Sequence, residues 1–282
     1  RDCGLLERYY QTPSGSALAD AARAAVNGHP SAYCKTWNNS FINPQNPTLP
    51  ANCGAGFPAS LVYVPGTRPN GVRCSIHDMM IAIFGTVTDI DGSSKPKLPY
   101  DNTGVQYGLK ALREGAITAE EFVQLNEGIG AFTADMAWTA GAVTAPTVPA
   151  ARFGSSPDVF AQIYRSGLQS TARNLAKVPI IDLRPELGAD IHMTWRSYQA
   201  RARLDQANGG HGNHILRGSS GFGGAALAAQ SFRMMDRWLA SIEADKSPAS
   251  LETKVLASKP ADVKDGCFAT PGGTDAELAA EL

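Results

Sequence analysis

Residues 178–217 constrain the fold of this chain more than any other stretch. Val178-Pro179-Ile180-Ile181-Asp182-Leu183-Arg184 is a short apolar run rich in β-branched residues that ends in charge. Such a run reads as a buried strand. Ile191, Trp195, Tyr198 and Ala202 then recur at i, i+4, i+7 and i+11, the spacing of one helical face. That helix is expected to stop near Asn208-Gly209-Gly210. Asn213-His214-Ile215-Leu216 is long enough for a second strand, and Phe232, Met235, Trp238, Leu239 and Ile242 mark a second helix. A strand–helix–strand–helix order over this length predicts two parallel, neighbouring strands. In open α/β sheets reactive groups collect at the carboxyl ends of strands. Asp182, Asp190, His192, His211 and His214 are placed at or near strand ends by this reading.

Composition narrows the class. The chain has 282 residues, 43% hydrophobic and 18% charged, enough for one large domain or a domain with a sizeable insertion. Its formal net charge is −1 and no Lys/Arg cluster tracks phosphates, so nothing points to nucleic acid. The longest apolar runs fall well short of the ~20 residues that a spanning helix needs. No signal peptide is read in the sequence, and the start at Arg1 reads as a processed, trimmed or partial chain.

Cysteines locate the compartment. Cys3, Cys34, Cys53, Cys74 and Cys267 include no Cys-x-x-Cys pair, so zinc spacing is absent. Four of them lie in the loop-rich first 74 residues, which reads as disulfides of a secreted or periplasmic protein. At least one bridge is expected among Cys34, Cys53 and Cys74, and the odd count leaves one thiol free or paired elsewhere.

The remaining chain is read more coarsely. Residues 28–74 are dense in Pro, Asn, Gly and Cys, with a possible strand at Leu61–Val64. A loop region this long is usually a lid or substrate-facing insertion. Ile76, Met79, Met80 and Ile83 suit a buried helix, Thr118-Ala119-Glu120-Glu121 is a capping box, and Ser156-Pro157-Asp158 opens a helix with Phe160, Ile163, Tyr164 and Leu168 on its apolar face. The expected organisation is a lid region at 1–155, an α/β core at 156–246 and a tail at 247–282. Asp89, Asp91 and Asp101 offer hard oxygen ligands near Gly92, as a calcium loop does, although the downstream Glu of the full loop is missing; a solvated turn is the alternative. No organic cofactor is implied.

His192 is the leading candidate for acid/base chemistry, because it follows a strand end and has Asp190 and Asp182 near it in sequence. A carboxylate that orients an imidazole is what a general base needs. His192 as a helix cap or buried hydrogen-bonding residue is the alternative. His77, beside Asp78 in an apolar helix, reads as a core or cap residue. No Gly-x-Ser-x-Gly elbow occurs; Gly218-Ser219-Ser220-Gly221 lacks the last spacing.

Several runs carry a resemblance: Gly71-Val72-Arg73-Cys74, Asp101-Asn102-Thr103-Gly104-Val105-Gln106-Tyr107-Gly108-Leu109, Asp190-Ile191-His192 with Arg201-Ala202-Arg203-Leu204, and Met235-Asp236-Arg237-Trp238-Leu239. They resemble a secreted bacterial family of large α/β-hydrolase-like proteins of unknown function, distantly similar to tannases, feruloyl esterases and hydroxybutyrate-oligomer hydrolases. The resemblance runs from Asp2-Cys3-Gly4 to Cys267. It implies the C-terminal part of an α/β-hydrolase sheet, with a helical, disulfide-braced lid. It also implies a partner, an N-terminal fragment of the same precursor that carries the serine. The reaction so implied is hydrolysis of a small or oligomeric ester, less readily an amide. His192 would be the base, oriented by Asp190 or Asp182. Tannase-like relatives place a His after the last strand; Arg217–Gly224 has none, so His211 or His214 would substitute. The competing readings are a secreted non-catalytic binding or structural module and a calcium-stabilised lid piece.

Overall fold

The computed structural model describes residues 1–29, 31–88, 93–140, 149–186, 194–220 and 224–268. The chain divides into two compact units, Arg1–Gln169 and Ser170–Leu282. Among the described residues, no helix is long and apolar enough to cross a membrane.

The first unit is mainly helical: α1 (Asp2–Tyr9), α2 (Pro13–Ser16), α3 (Asp20–Asn27), α4 (Ser31–Trp37), α5 (Ile76–Phe84), α6 (Leu109–Arg113), α7 (Ala119–Gly128) and α8 (Pro157–Arg165), with β1 (Thr86–Thr88) and β2 (Ser94–Pro96) forming a small antiparallel ladder. One core gathers Leu5, Leu6, Tyr9, Ala111, Leu125 and Ile129; a second gathers Met80, Phe84, Leu98 and Val159. Local chemistry sets the helix ends. Thr118 and Glu121 form the expected reciprocal capping box of α7. Pro157 opens α8, where the Ser156 hydroxyl bonds Asp158 rather than a backbone N–H.

Two disulfides brace this unit, Cys3–Cys34 and Cys53–Cys74, with sequence separations of 31 and 21. In the chain-entropy account loops of that length contribute about 3–4 kcal/mol each. The bridge expected among Cys34, Cys53 and Cys74 is therefore present. Cys267 is different: its thiol is free and exposed, since the other four cysteines pair among themselves. Leu61–Val64 is not a strand. Only isolated bridges form there, Val62 with Val72 and Val64 with Arg68, because the chain turns back at once through a Pro/Gly-rich loop.

The second unit holds β3 (Ile180–Glu186), α9 (Trp195–Asn208), β4 (His214–Ser220), α10 (Gly224–Ala244), α11 (Leu251–Ala257) and β5 (Gly266–Phe268). β3 and β4 are parallel neighbours in register Ile180↔His214 through Glu186↔Ser220, as the sequence order predicts. β5, from the region read as a tail, adds a third parallel strand beside β4. The fold is mixed α/β, a parallel sheet with helices following a helical, disulfide-braced region.

Helix faces depart from expectation. On α9 the described members of the expected stripe face solvent, with Trp195 50% and Tyr198 56% exposed, and Ala202 is exposed too; Ile191 lies outside the described residues. Ser197 and Leu204 are the buried residues. α10 buries Leu227, Ser231, Met234 and Trp238 and leaves Phe232 exposed. α8 buries Val159 instead of Phe160 and Tyr164, and α5 buries His77, Met80 and Phe84 while Met79 is exposed. In each case apolar side chains lie on more than one side, so periodicity alone leaves the rotation open.

Candidate functional site

The inward stripe of α9 is Ser197, Arg201, Leu204 and Asn208, at the same i, i+4, i+7, i+11 spacing as the expected stripe but six residues on. At about 100° per residue that is a rotation of about 240°. This polar stripe lies on the β3–β4 face that carries Asp182, Arg184 and His214. The Arg184 Nε donates to Ser197 Oγ at 2.9 Å. Arg201 Nε donates to His214 Nδ1 at 3.1 Å, and its two Nη groups donate to Asp265 at 2.8 and 2.6 Å. Asp265 in turn accepts the Leu216 backbone N–H at 2.9 Å.

His214 is buried, and its Nε2 lies 3.6 Å from Asp182 Oδ2. With Nδ1 accepting from Arg201, the hydrogen-bond network assigns the ring proton to Nε2, facing the carboxylate. The facing imidazole, together with Ser197 and Arg184, holds the Asp182 carboxyl below its ordinary range against the opposing effect of burial. Burial pushes Asp265 upward, but the hydrogen bonds from Arg201 and Leu216 more than offset it, leaving its pKa lowered. The cluster is satisfied by neighbouring groups, as buried charges must be.

The other candidates separate. His211 sits in the loop before β4, partly exposed, with Nδ1 2.7 Å from Asp205 Oδ1. His214 is the first residue of β4, so both lie at the amino end of that strand. Asp182 lies within β3, opposite Leu216. Asp190 and His192 fall outside the described residues, in the segment that follows the carboxyl end of β3. Asp89 and Asp91 also fall outside them. Asp101 accepts from the Thr103 N–H and hydroxyl at 2.9 and 2.6 Å and from the Ser155 N–H at 3.3 Å, so it closes its own loop. Among the described residues no group of three or more His, Cys, Asp or Glu is placed to hold a metal.

The first unit contains a second charged network. His77 is fully buried, with Nδ1 3.1 Å from Ser75 Oγ and Nε2 3.1 Å from Arg1 Nη2. Burial, helped by Arg1 and Arg73, pushes its pKa down to about 4, so it is a neutral core residue. Tyr63 donates to Asp135 at 2.6 Å, and Lys95 donates to both Tyr63 and Asp135. The buried Arg73 guanidinium lies 4.0 Å over the Tyr63 ring and donates to the Pro69 and Ser94 carbonyls. Gly71 is required beneath it: a Cβ there would sit 2.5 Å from the Tyr63 nitrogen. In the run 101–109, Asn102 Nδ2 donates to the Gly130 carbonyl at 2.8 Å and its Oδ1 accepts the Phe153 N–H at 2.9 Å. Tyr107 donates to Asp2 at 2.7 Å. The motifs that carry the resemblance in this unit are therefore architectural fastenings.

Sequence reasoning did not single out Ser197, Asp265, Lys95 or Asp135, and it noted Arg201 only within a motif. The polar stripe of α9 is visible in the sequence, but a stripe containing Arg and Ser is read as solvent-facing by default.

A parallel three-stranded sheet with helices in one unit and a disulfide-braced helical region in the other define a mixed α/β protein. The chain matches the Tannase-like family of unknown function (DUF6351) over residues 1–281, and it belongs to that family. Family membership suggests a relationship to hydrolases. No curated protein and no solved structure matches the chain. The two disulfides fit an extracytoplasmic setting.

Proposed function

We propose that this chain supplies the acid/base part of a secreted esterase, whose serine nucleophile comes from a further segment of the same precursor. The observation that carries the reading is the parallel β3–β4 pair, whose carboxyl ends at Glu186 and Ser220 lead into the segments where α/β hydrolases keep their acid and base. Asp190 and His192 belong to the first of these segments. Asp182 faces His214, which favours Asp190 over it as the orienting carboxylate for His192 in this reading. Arg201 occupies Nδ1 of His214 and Asp182 faces its Nε2, so no ring nitrogen remains for a serine. His211 pairs with Asp205 at the opposite end of β4. β3 pairs only with β4 among the described residues, so its outer edge is open to the strands of the nucleophile-bearing segment.

The reading is tested on the protein together with that segment, using a chromogenic short-chain ester. His192→Ala is expected to lower turnover on the order of 10^3-fold with an unchanged thermal midpoint. An active but destabilised His192→Ala would instead favour the non-catalytic module. His214→Ala, by contrast, should lower the midpoint and leave turnover of the folded fraction intact.

A further inference from the structure

We propose that the hollow beside β2 in the first unit binds a small organic carboxylate with an apolar body. The hollow has a volume of about 410 Å³, the size of a small-molecule site. Leu98, Ala131, Phe153 and Val159 contribute apolar wall, and among the described residues no Asp or Glu lines it. Its polar lining is rich in donors with hydrogens left over. Lys95 gives one N–H to Tyr63 and one to Asp135, which leaves a third. Lys97 gives one to Asp158 at 2.7 Å, which leaves two. Thr133 accepts from the Ala137 N–H through its hydroxyl oxygen, so its own hydrogen is unassigned.

The side-chain acceptors in the wall are neutral hydroxyl oxygens among the described residues. The Ser155 hydroxyl donates its hydrogen to the Leu98 carbonyl at 2.6 Å and the Thr139 hydroxyl donates its own to the Ala151 carbonyl at 2.7 Å, so both offer the hollow lone pairs only; one lone pair of Thr139 already accepts the Ala131 N–H at 2.8 Å. Asp135 and Asp158 each neutralise one lysine. Arg152, also in the wall, donates only to the Asn102, Val105 and Asn126 oxygens, so it adds positive charge with no paired carboxylate among the described residues. Asp101 lies behind Ser155, in the wall of a separate hollow. The spare lysine hydrogens and the Thr133 hydroxyl over an apolar wall suit a carboxylate head on an apolar body, because the charge-assisted bonds reward the anion and the wall rewards the remainder.

Equilibrium binding tests this apart from the esterase reading, since it needs no turnover. The chain is titrated calorimetrically with benzoate, hexanoate and the neutral benzamide. At least one acid is expected to bind about tenfold or more tighter than the amide. Asp158→Asn, which releases Lys97, should tighten the acid severalfold, and Lys97→Met should weaken it severalfold. Both changes sit at the surface and should leave the thermal midpoint nearly unmoved. Amide binding equal to acid binding, absence of acid binding, or an affinity indifferent to Asp158→Asn overturns the proposal.

Discussion

The two faces of the β3–β4–β5 sheet are covered by different chemistry, although the α10 face also buries Arg217 against Ser231 and Gln230. Ile181 and Ile215 meet an apolar cluster of Met234, Trp238, Val255 and Val263, with Trp238 fully buried and its indole N–H donated to the Val255 carbonyl at 2.8 Å. Asp182, Arg184 and His214 meet Ser197 and Arg201 of α9, closed off by Asp265. The apolar face gains by removing carbon from water, a force without direction. The polar face gains little net energy from each contact but tolerates only one alignment, because a displaced partner leaves a buried charge unmet. The comparison teaches that the sheet is held by α10 and α11 and registered by α9.

Breaking the apolar side has the largest effect. Trp238→Ala is expected to cost about 4 kcal/mol in denaturant unfolding; a smaller loss than that of any α9 substitution would reverse the assignment of roles. On the polar side, Arg201→Ala should cost about 2 kcal/mol, since it strands His214 and half-exposed Asp265 together. Arg201→Lys should recover only part of this, because a single ammonium cannot reproduce the forked contact with Asp265 and the bond to His214 at once.

Acid sharpens the contrast. The Asp182 pKa is lowered in the folded state. A depressed carboxyl contributes stability that is fully present above its unfolded pKa of about 3.9 and is lost as pH falls through the lower folded value. Unfolding midpoints measured from pH 6 to pH 2.5 should therefore drop more for the native protein than for Asp182→Asn below about pH 4. Trp238→Phe should keep the native acid response, merely offset. The smallest effect belongs to the outer side of α9, where Tyr198→Ala should change stability by no more than about 0.5 kcal/mol.

Much of the fold is legible from residues alone. The β-branched run at 178–184, the helix stop at Asn208-Gly209 and the Ser/Thr caps are local signals. They locate β3, α9, β4, α7 and α8 to within a few residues, and the spacing between the two strands requires a parallel crossover. The cysteine content, likewise, announces bridges in the first 74 residues. The polar cluster around His214 was not legible in this way, since His214 and Asp182 are 32 positions apart in sequence and Asp265 lies farther still.

What the sequence by itself determined is the β3–α9–β4–α10 order and the parallel pairing of β3 with β4, because these follow from backbone preferences and connection length within short windows; β5, in the region read as a tail, was not among them. Which side of each helix turns inward was decided only by tertiary structure. Trp195 and Tyr198 look like a core stripe, yet Ser197 and Arg201 are the residues that meet the sheet, because β3 and β4 present Asp182 and His214 there. A buried carboxylate and imidazole require hydrogen-bonding partners more strictly than an aromatic ring requires burial, and that demand exists only once the two strands lie side by side.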